Sequence, residues 1–469
     1  MTKHTTLTDL PPELLDHITS YLPTAHSIAN LSSTSKTLHT FVEKDAWQTF
    51  TRTRFPSLYP TIQTTSHSKD TARTLTTLSR AWDRRAFVAR YIEPHGDIRA
   101  FPGDRKVERW KRPRGQTIGF TPQMDCLEAV GHSWGQRREV LAYSAGAEIC
   151  VRERRSGDGD DGGHGTRWIT YRPLSAAEGR DDVMSLHLLR PQEGEQEGKK
   201  GVELITGTAN GDLQLLNLSG DAGDDIAKTY FTTQGLPVRS TSLHQESWKP
   251  PLLAANLGDT RICLYSVDST QSKIAPTSQI DVRPPVNANG ERKTYRTWST
   301  NFLSSTHLAV GLGPSTEPIH VYTLTPSGLD KTAVRKYSLQ DNDLCAKLEG
   351  SDIANGTAKK PLTSSIYPII PLPPSSTFAS GSSDGQIFLT GAYDGIIRLH
   401  DLRSNREVEK IYTDPTDDSA IYSLLPRGQE TLIAGTSRHS LLKIFDLRLG
   451  AKAYSYLDAT ATAQQGSAH

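Results

Sequence analysis

The chain has 469 residues, of which 53 are basic and 52 are acidic, so its formal net charge is +1. A balance this close excludes a strong overall field that would attract nucleic acid or a membrane, and partners must be recognised by local patches. The length exceeds one ordinary domain, the four cysteines lack zinc-ligand spacing, and no run of about 18 apolar residues could span a membrane. The N-terminus also lacks a secretory signal pattern. We expect a multidomain protein of the cytoplasm, the nucleus or both, without metal or cofactor.

The first predicted elements are short helices between residues 10 and 47. Pro11 and Pro12 suit the first turn of a helix, and Pro23 ends it. The apolar residues of this first helix form one broad face at the helical period: they are Leu14, Leu15, Ile18, Tyr21 and Leu22. A second apolar pattern between Ile28 and Val42 predicts further helices. Helices this short cannot bury every apolar side chain among themselves, so we expect a partner surface; an ordinary hairpin packed on the rest of the protein would show the same periodicity.

The order of these residues resembles an F-box, whose pattern is a Leu-Pro-x-Glu start, a first helix ending in Tyr-Leu, a segment ending in Ser-Lys and a closing Trp. Here Ser35 and Lys36 supply the middle pair. The resemblance implies that residues 1–60 bind the Skp-type adaptor of a cullin-based ubiquitin ligase. The residues that it assigns to adaptor binding are Leu10, Pro11, Pro12, Glu13, Leu14, Leu15, Ile18, Tyr21, Leu22, Leu31 and Trp47.

Residues 61–100 are predicted to form a helical linker. A segment rich in Thr and Ser, residues 61–68, precedes a helical pattern from Lys69 to Ile92 with an irregular apolar stripe that includes Leu75 and Trp82. A helix resists bending better than coil does, so this segment would hold the first domain at a set distance and angle from the C-terminal part of the chain. A basic helix for nucleic acid or phosphate is the alternative, but its arginines alternate with acidic and aromatic residues, which favours a solvated face.

From about residue 101 the chain changes to short strands separated by turns. One unit recurs, with apolar residues, a Gly, a tight turn and then alternating apolar residues, which is a β-hairpin pattern. The clearest copies span Leu204–Asn217, Leu389–Asp401 and Leu432–Asp446, and weaker copies span Val140–Glu153, Leu252–Val267 and Leu308–Leu324. Six such units predict a radial β architecture.

This half resembles a WD-repeat propeller, whose blades recur every ~40–45 residues. Gly391 and Gly435 are 44 residues apart (435 − 391), and longer gaps coincide with insertions, which cost little because closure entropy rises slowly with loop length. The Trp-Asp pair of the family is replaced by His400-Asp401 and Phe445-Asp446. We assign residues 101–460 to the propeller and residues 461–469 to a disordered tail.

Blade number is predicted from ring closure. A closed ring leaves no exposed strand edge, so a seventh blade is expected from Phe101–Phe120 pairing with Tyr454–Leu457. The expected fold is therefore an all-α F-box with a helical linker, followed by an all-β propeller with six visible units and seven blades.

No catalytic motif supports an enzyme. The sequence contains no HExxH or GxxxxGK[ST] pattern, and its GxSxG match at residues 381–385 is interpreted as a Ser-Ser-Asp-Gly turn. Asn210 and Asp394 each precede Gly and are interpreted as turn residues. Asp401 and Asp446 lie at strand ends and are interpreted as turn caps or as bonds between blades. A propeller enzyme with a metal or acid pair in its central channel is kept as a further alternative only because blade loops can carry such groups without a sequence signature.

Together the two resemblances imply a non-catalytic substrate receptor of an SCF-type ubiquitin ligase, with an adaptor, a cullin scaffold and a protein substrate or degron peptide as partners, and neither nucleic acid nor membrane. A WD-repeat scaffold in an F-box complex without ubiquitin transfer is the alternative. Receptors of this kind that read phosphorylated degrons carry arginines on one propeller face, because a guanidinium can bind two oxygens at once. The candidates are Arg239, Arg261, Arg296 and Arg438, although solvated charges at strand ends would show the same pattern.

Overall fold

Helices and strands occupy separate parts of the chain in the computed structural model. The residues that the structure describes are 6–55, 68–84, 91–111, 122–129, 138–155, 165–173, 176–190, 202–218, 228–245, 250–283, 295–339, 363–372, 386–414, 416–427, 431–438 and 441–447. Within these ranges every α-helix ends before residue 84, and every strand begins after residue 97.

The described residues of the N-terminal region form five α-helices, preceded by a short 3₁₀ turn and interrupted by a π-helical turn between the third and fourth. They are α1 Pro12–Ser20, α2 Ala25–Thr34, α3 Lys36–Phe41, α4 Trp47–Arg54 and α5 Ser68–Asp83. Local capping explains two of the starts, since the Thr24 hydroxyl accepts a bond from the Ser27 N–H and the Ser35 hydroxyl accepts one from the Leu38 N–H.

A single hydrophobic cluster holds the five helices together. Its fully buried members are Leu15, Ile28, Leu38, Phe41, Val42, Ala46, Trp47, Phe50, Phe55, Ala72 and Leu75. Ala72 and Leu75 belong to α5, so the predicted linker helix packs on the preceding helices along its first half. Near its other end, the Trp82 ring lies 4.7 Å from the Arg427 guanidinium of the β domain. The linker helix therefore contacts both parts of the protein.

The β domain is a six-blade propeller of successive, mostly antiparallel sheets. The strands of the first three blades, in chain order, are β1 Ile98–Phe101, β2 Arg105–Lys106, β3 Met124–Ala129, β4 Arg138–Ala145, β5 Glu148–Arg155 and β6 Gly165–Tyr171 in blade 1; β7 Val183–Leu188, β8 Glu203–Thr208, β9 Leu213–Asn217, β10 Lys228–Phe231 and the later β14 Lys273–Ile274 in blade 2; and β11 Val238–His244, β12 Leu252–Leu257, β13 Arg261–Ser266 and β15 Ser278–Asp281 in blade 3.

Blades 4 to 6 repeat the same order. Their strands are β16 Arg296–Phe302, β17 His307–Gly313, β18 Ile319–Thr325, β19 Gly328–Leu329 and β20 Arg335–Tyr337 in blade 4; β21 Ile366–Pro371, β22 Ile387–Ala392, β23 Ile397–Asp401 and β24 Lys410–Tyr412 in blade 5; and β25 Ile421–Arg427, β26 Thr431–Thr436 and β27 Leu442–Asp446 in blade 6. All six predicted hairpins are confirmed, because each forms the second and third long strands of one blade.

The core of the β domain lies between blades. The innermost strands β3, β7, β11, β16, β21 and β25 contact one another in that order. Separate apolar clusters fill the spaces between successive sheets. Side chains of the second strands point alternately towards the two neighbouring sheets, and in blades 2 to 5 both sides are buried. These second strands are therefore almost continuous apolar runs in the sequence.

The prediction of a seventh blade is corrected, since the propeller has six. Strand β1 pairs in parallel with the outer strand β6 of blade 1, so part of the segment assigned to a seventh blade extends the first. Ile98 and Trp168 are buried together there, with Val107 and Trp110 packed against them. The outermost strand of a sheet has unpaired backbone N–H and C=O groups, and the pairing with β1 satisfies those of β6. Residues 112–121 and Tyr454–Leu457 lie outside the described residues.

Candidate functional site

Helix α1 begins where the sequence predicts. The Pro11 carbonyl accepts hydrogen bonds from the N–H groups of Leu14 and Leu15, both at 3.1 Å, so the proline fixes how the chain enters the helix. On its inner side, Leu15 is 4% exposed and Thr19 is fully buried. The Thr49 hydroxyl of α4 donates to the Asp16 carboxylate, which fixes the rotation of α1 against its neighbour.

The solvent-facing side of α1 carries an apolar ridge, which comprises Leu14, Ile18 and the C-cap residue Tyr21. Their exposed fractions are 50%, 38% and 65%, and their spacing of four and three residues places them on one face of the helix. Leu7, in the turn before α1, is also 42% exposed. Contiguous exposed apolar side chains on a folded helix mark a surface for a partner.

The structure divides the predicted adaptor-binding residues into three groups. Pro11, Pro12, Glu13, Leu14, Ile18 and Tyr21 are exposed. Leu10, Leu22 and Leu31 are partly buried and pack against the helical cluster, and Leu15 and Trp47 lie within it. The side chains of Leu15 and Trp47 turn towards the other helices, and the assignment of these two residues to adaptor binding stays a prediction.

A second surface lies at one end of the propeller. The first residues of each innermost strand lie beside the turn that joins the second and third strands: Val238 pairs with Leu257, which pairs with Arg261. Neighbouring blades meet at the same end, since the Thr297 N–H donates to the Asp259 carbonyl over 2.7 Å. We call this end the upper face.

Each innermost strand from blade 2 to blade 6 contains a bulge just after its first residue, or after its second in blade 4, where the pairing register shifts. The residues at these bulges, which we call the bulge ring, are Met184, Arg239, Trp298, Tyr367 and Tyr422. A bulge re-aims the side chain that it carries. Of these five residues, only Arg239 was assigned to a binding surface from the sequence.

Glycines on the second strands leave room for these bulges. A Cβ atom at Gly207 would lie 2.5 Å from the Ser185 hydroxyl, and one at Gly311 would lie 2.5 Å from the Ser299 hydroxyl. The recurring glycine of the hairpin unit is therefore required by close approach of the innermost strand rather than only by a turn.

Three aromatic residues of the bulge ring form a row across blades 4, 5 and 6. The ring centroids of Trp298 and Tyr367 are 5.1 Å apart, and those of Tyr367 and Tyr422 are 4.6 Å apart, both in edge-on geometry. Burial, together with the neighbouring Tyr422 and Tyr393 hydroxyls, raises the pKa of Tyr367 to about 12. Its hydroxyl therefore stays protonated and can donate a hydrogen bond. Tyr422 and Tyr393 are 51% and 59% exposed.

A sequence signal for this row exists but is short. The start of the innermost strand reads Val-Met-Ser, Val-Arg-Ser, Thr-Trp-Ser, Ile-Tyr-Pro and Ile-Tyr-Ser in blades 2 to 6. A buried residue, a large side chain and then Ser or Pro recur, and comparison of the segments before the hairpins could have revealed the pattern.

All four predicted arginines lie on the upper face, but their surroundings differ. Arg239 lies 3.7 Å from the Asp259 carboxylate and Arg438 lies 3.5 Å from that of Asp418. The Arg261 guanidinium donates to the Gln234 side-chain oxygen over 2.5 Å. Arg296 is exposed, and its guanidinium stacks on the Trp298 ring at 4.9 Å. Within the described residues no carboxylate forms an ion pair with Arg296.

The buried charges of blades 5 and 6 form ion pairs that stabilise turns. Asp394 binds Arg398 at 2.7 Å and accepts the Ile396 N–H, which confirms its interpretation as a turn residue. The Lys443 ammonium lies between Asp414 and Asp417, at 3.3 and 3.0 Å. Burial raises the pKa of each aspartate, but hydrogen bonds and Lys443 outweigh it and leave both values below the ordinary one.

Neither a metal cluster nor a membrane span is found in the part of the chain that the structure describes. No three His, Cys, Asp or Glu side chains in these ranges lie close enough together to hold a metal ion. No helix within them is both long and apolar enough to cross a membrane.

Comparisons with known proteins identify the helical region. Residues 7–53 match the family model described as F-box-like, so the chain carries an F-box-like domain before its propeller. No curated protein matches the sequence. Among solved structures, a similar chain comes from the crystal structure of BBS1N in complex with ARL6DN, soaked with mercury; it is 14% identical, and the match covers 66% of this chain and 76% of that chain with a TM-score of 0.38. A score this low does not establish a common fold.

Proposed function

We propose that this protein is a non-catalytic substrate receptor of an SCF-type ubiquitin ligase. The F-box-like domain would bind a Skp-type adaptor and, through it, a cullin scaffold, while the upper face of the propeller would bind a protein substrate. The observation that carries the proposal is the combination, in one chain, of an F-box-like domain with an exposed apolar ridge and a six-blade propeller.

The ridge supports the adaptor contact. F-box domains generally bind Skp-type adaptors, and here the exposed Leu14, Ile18 and Tyr21 project from a helix whose other face is locked into the domain core. Apolar side chains on a preorganised helix can dock without a large ordering cost. The exposed residues of α1 and its entry, rather than Leu15 or Trp47, would form the contact.

The contacts of α5 support a role for the linker helix in setting the distance between the F-box-like domain and the propeller. Ala72 and Leu75 fix the first half of α5 to the F-box-like domain, and Trp82 contacts Arg427 at the end of β25. A receptor without catalytic groups accelerates transfer by holding substrate lysines near the charged ubiquitin carrier, that is, by raising their effective concentration. A helix anchored to both parts would set that distance.

Size-exclusion chromatography of the full-length protein with purified Skp-type adaptor and cullin tests the assembly. The proposal predicts a stoichiometric ternary complex that forms only when the adaptor is present. Failure of the protein to join the adaptor would contradict the assignment. Formation of the complex without ubiquitin transfer, once the RING subunit, carrier and a bound substrate are supplied, would favour a scaffold in an F-box complex.

A further inference from the structure

The aromatic row, which comprises Trp298, Tyr367 and Tyr422, is a part of the upper face whose chemistry the four predicted arginines do not explain. We infer that this row binds a proline-rich segment of the protein substrate in the polyproline II conformation, with proline rings in the notches between the aromatic rings. The inference rests on the proposed function and deepens it, because it specifies the class of substrate segment that the propeller recognises.

The geometry of the row favours compact apolar rings. Trp298 and Tyr367 meet at 74°, and Tyr367 and Tyr422 meet at 68°, with centroid distances of 5.1 and 4.6 Å. Rings that meet edge-on leave a notch beside each contact, whereas stacked rings would present a flat platform. A pyrrolidine ring is short and rigid, so it can fill such a notch without losing side-chain rotamers. Three residues of polyproline II advance about 9 Å, so two prolines at this spacing can reach both ends of the row.

The polar atoms in and beside the row favour a backbone that offers acceptors. The Trp298 indole N–H donates to the Gly313 carbonyl over 3.3 Å, and this bond fixes the orientation of the ring. The hydroxyls of Tyr393 and Tyr422 lie beside that of Tyr367, and the first two side chains are 59% and 51% exposed. A phenol donates one hydrogen bond. A proline-rich segment presents carbonyl oxygens without the N–H groups that would compete for them.

Charge specifies one end of the bound segment. A Cβ atom at Gly395 would lie 2.7 Å from the Asp418 carbonyl, so the turn that carries Tyr393 lies against Asp418 on blade 6. The Asp418 side chain is 89% exposed and pairs with Arg438 at 3.5 Å, and such an exposed pair contributes little. A lysine or arginine beside the prolines can therefore bind the Asp418 carboxylate. At the blade 4 end the guanidinium of Arg296 disfavours a basic residue, so charge also sets the direction of the segment.

A proline-rich segment fits this surface better than a single-stranded nucleic acid. Binding of nucleic acid needs free ring faces for stacking and a basic groove for successive phosphates. Here the rings meet edge-on, and the exposed Asp418 carboxylate at one end repels a polyanion. A proline-rich segment already populates polyproline II when free, so less conformational entropy is lost on binding. Trp and Tyr are also residue types that dominate binding energy at protein interfaces.

Fluorescence anisotropy with matched pools of labelled peptides tests the inference on the full-length protein. Peptides of the reference pool contain two prolines three residues apart, mixed Ala, Leu and Ser between them, and a lysine on one flank. In the second pool both prolines are replaced by alanine, and in the third the lysine is replaced by glutamate. A labelled oligouridylate serves as the nucleic-acid probe. The reference pool should bind at least about tenfold more tightly than the alanine pool, and more tightly than the glutamate pool.

The variants separate ring contact from charge. Tyr422→Ala should lower the affinity of the reference pool to that of the alanine pool, whereas Tyr422→Phe, which keeps the ring, should retain the proline preference. Asp418→Asn should abolish the preference for the lysine flank over the glutamate flank and keep the proline preference. Tyr230→Ala, on β10 and 47% exposed, and Asp97→Asn, 49% exposed and paired with Arg99, are the matched controls. Both controls should retain wild-type binding, and every variant should retain the wild-type Tm.

Several results would overturn the inference: no binding of any pool, equal affinity for the reference and alanine pools, an unchanged proline preference in Tyr422→Ala, an unchanged flank preference in Asp418→Asn, tightest binding of the glutamate pool, or oligouridylate binding that is lost in Tyr422→Ala. Self-association of the free protein that is lost in Tyr422→Ala, measured by analytical ultracentrifugation, would identify a second copy of the chain as the occupant and would overturn the inference as well.

Titration of the same samples with adaptor keeps the two proposals apart. Adaptor binding without proline preference would contradict only this inference. Proline preference without adaptor binding would contradict the proposed function and leave the role of the aromatic row intact.

Discussion

Replacing Leu14 and Ile18 together by alanine should weaken adaptor binding by at least about 30-fold. The two side chains are 50% and 38% exposed, so docking can remove roughly half of each from water. Complete burial of such a side chain contributes about 1.5–3 kcal/mol, which leaves about 2 kcal/mol for the pair, or about 30-fold in Kd at ~1.4 kcal/mol per decade. Voids left at a desolvated interface would increase the loss.

Isothermal titration of the full-length protein with purified adaptor measures this loss, and thermal unfolding of the same samples provides the control. Neither residue belongs to the helical cluster, so the Tm of the double variant should change little. Leu15→Ala is the matched variant on the inner face, where truncation of a residue 4% exposed should cost about 2–5 kcal/mol of stability. Unchanged adaptor affinity in the double variant, with a sharp fall in Tm, would show that the ridge is intramolecular core.

Three further predictions concern the propeller and the linker. Lys443→Met leaves two buried aspartates without their cation and should cost about 3–5 kcal/mol in denaturant unfolding; a loss below about 1 kcal/mol would contradict this role. Burial lowers the pKa of His400 to about 3, below its unfolded value near 6.5. Neutral His400 therefore contributes its full stabilisation to the free energy of unfolding above pH 6.5. This contribution is lost as the pH falls from 6.5 towards the folded pKa, and the loss is about 2 kcal/mol at pH 5. In denaturant unfolding, the loss of stability between pH 6.5 and 5 should be about 2 kcal/mol smaller in His400→Asn than in the wild type, while His187 and His320, whose pKa values are also lowered by burial, contribute equally in both; equal pH slopes would refute this role of His400. Trp82→Ala, which removes the contact with Arg427, should broaden spin-label distances between α1 and β25 without changing adaptor affinity; an unchanged distribution would exclude this contact as the geometric restraint.

The hairpins were predictable because their determinants are local. Gly211 and Gly395 have φ values of +103° and +75°, which a residue with a side chain rarely adopts, and each follows an Asn or Asp in a tight turn. The alternating apolar residues then fix which face of each strand is buried. Six such units were visible without any knowledge of how the blades are arranged.

Blade number and the bulge ring were harder to predict because they depend on contacts between distant segments. Strand β1 carries no repeat pattern, and only its parallel pairing with β6 places it in blade 1. A bulge adds one residue without changing composition, so Trp298, Tyr367 and Tyr422 read as ordinary apolar strand residues. Their shared position emerges only when the five innermost strands are aligned by their register shifts.

The two faces of α1 show a similar limit. Leu14 and Leu15 are adjacent in sequence, and both fit a broad apolar stripe, yet one is 50% and the other 4% exposed. Periodicity identifies the stripe, but packing of the other helices decides which part of it remains for a partner.

The measurement that tests the central claim most directly is quantitative mass spectrometry of ubiquitin-modified lysines in source cells that express either the wild-type protein or the Leu14→Ala, Ile18→Ala variant. A substrate receptor predicts a set of proteins whose ubiquitin occupancy falls in the variant and which crosslink to the upper face of the propeller in both. Identical ubiquitin occupancy in the two cell lines, with adaptor binding intact only in the wild type, would contradict the account and favour a scaffold without ubiquitin transfer.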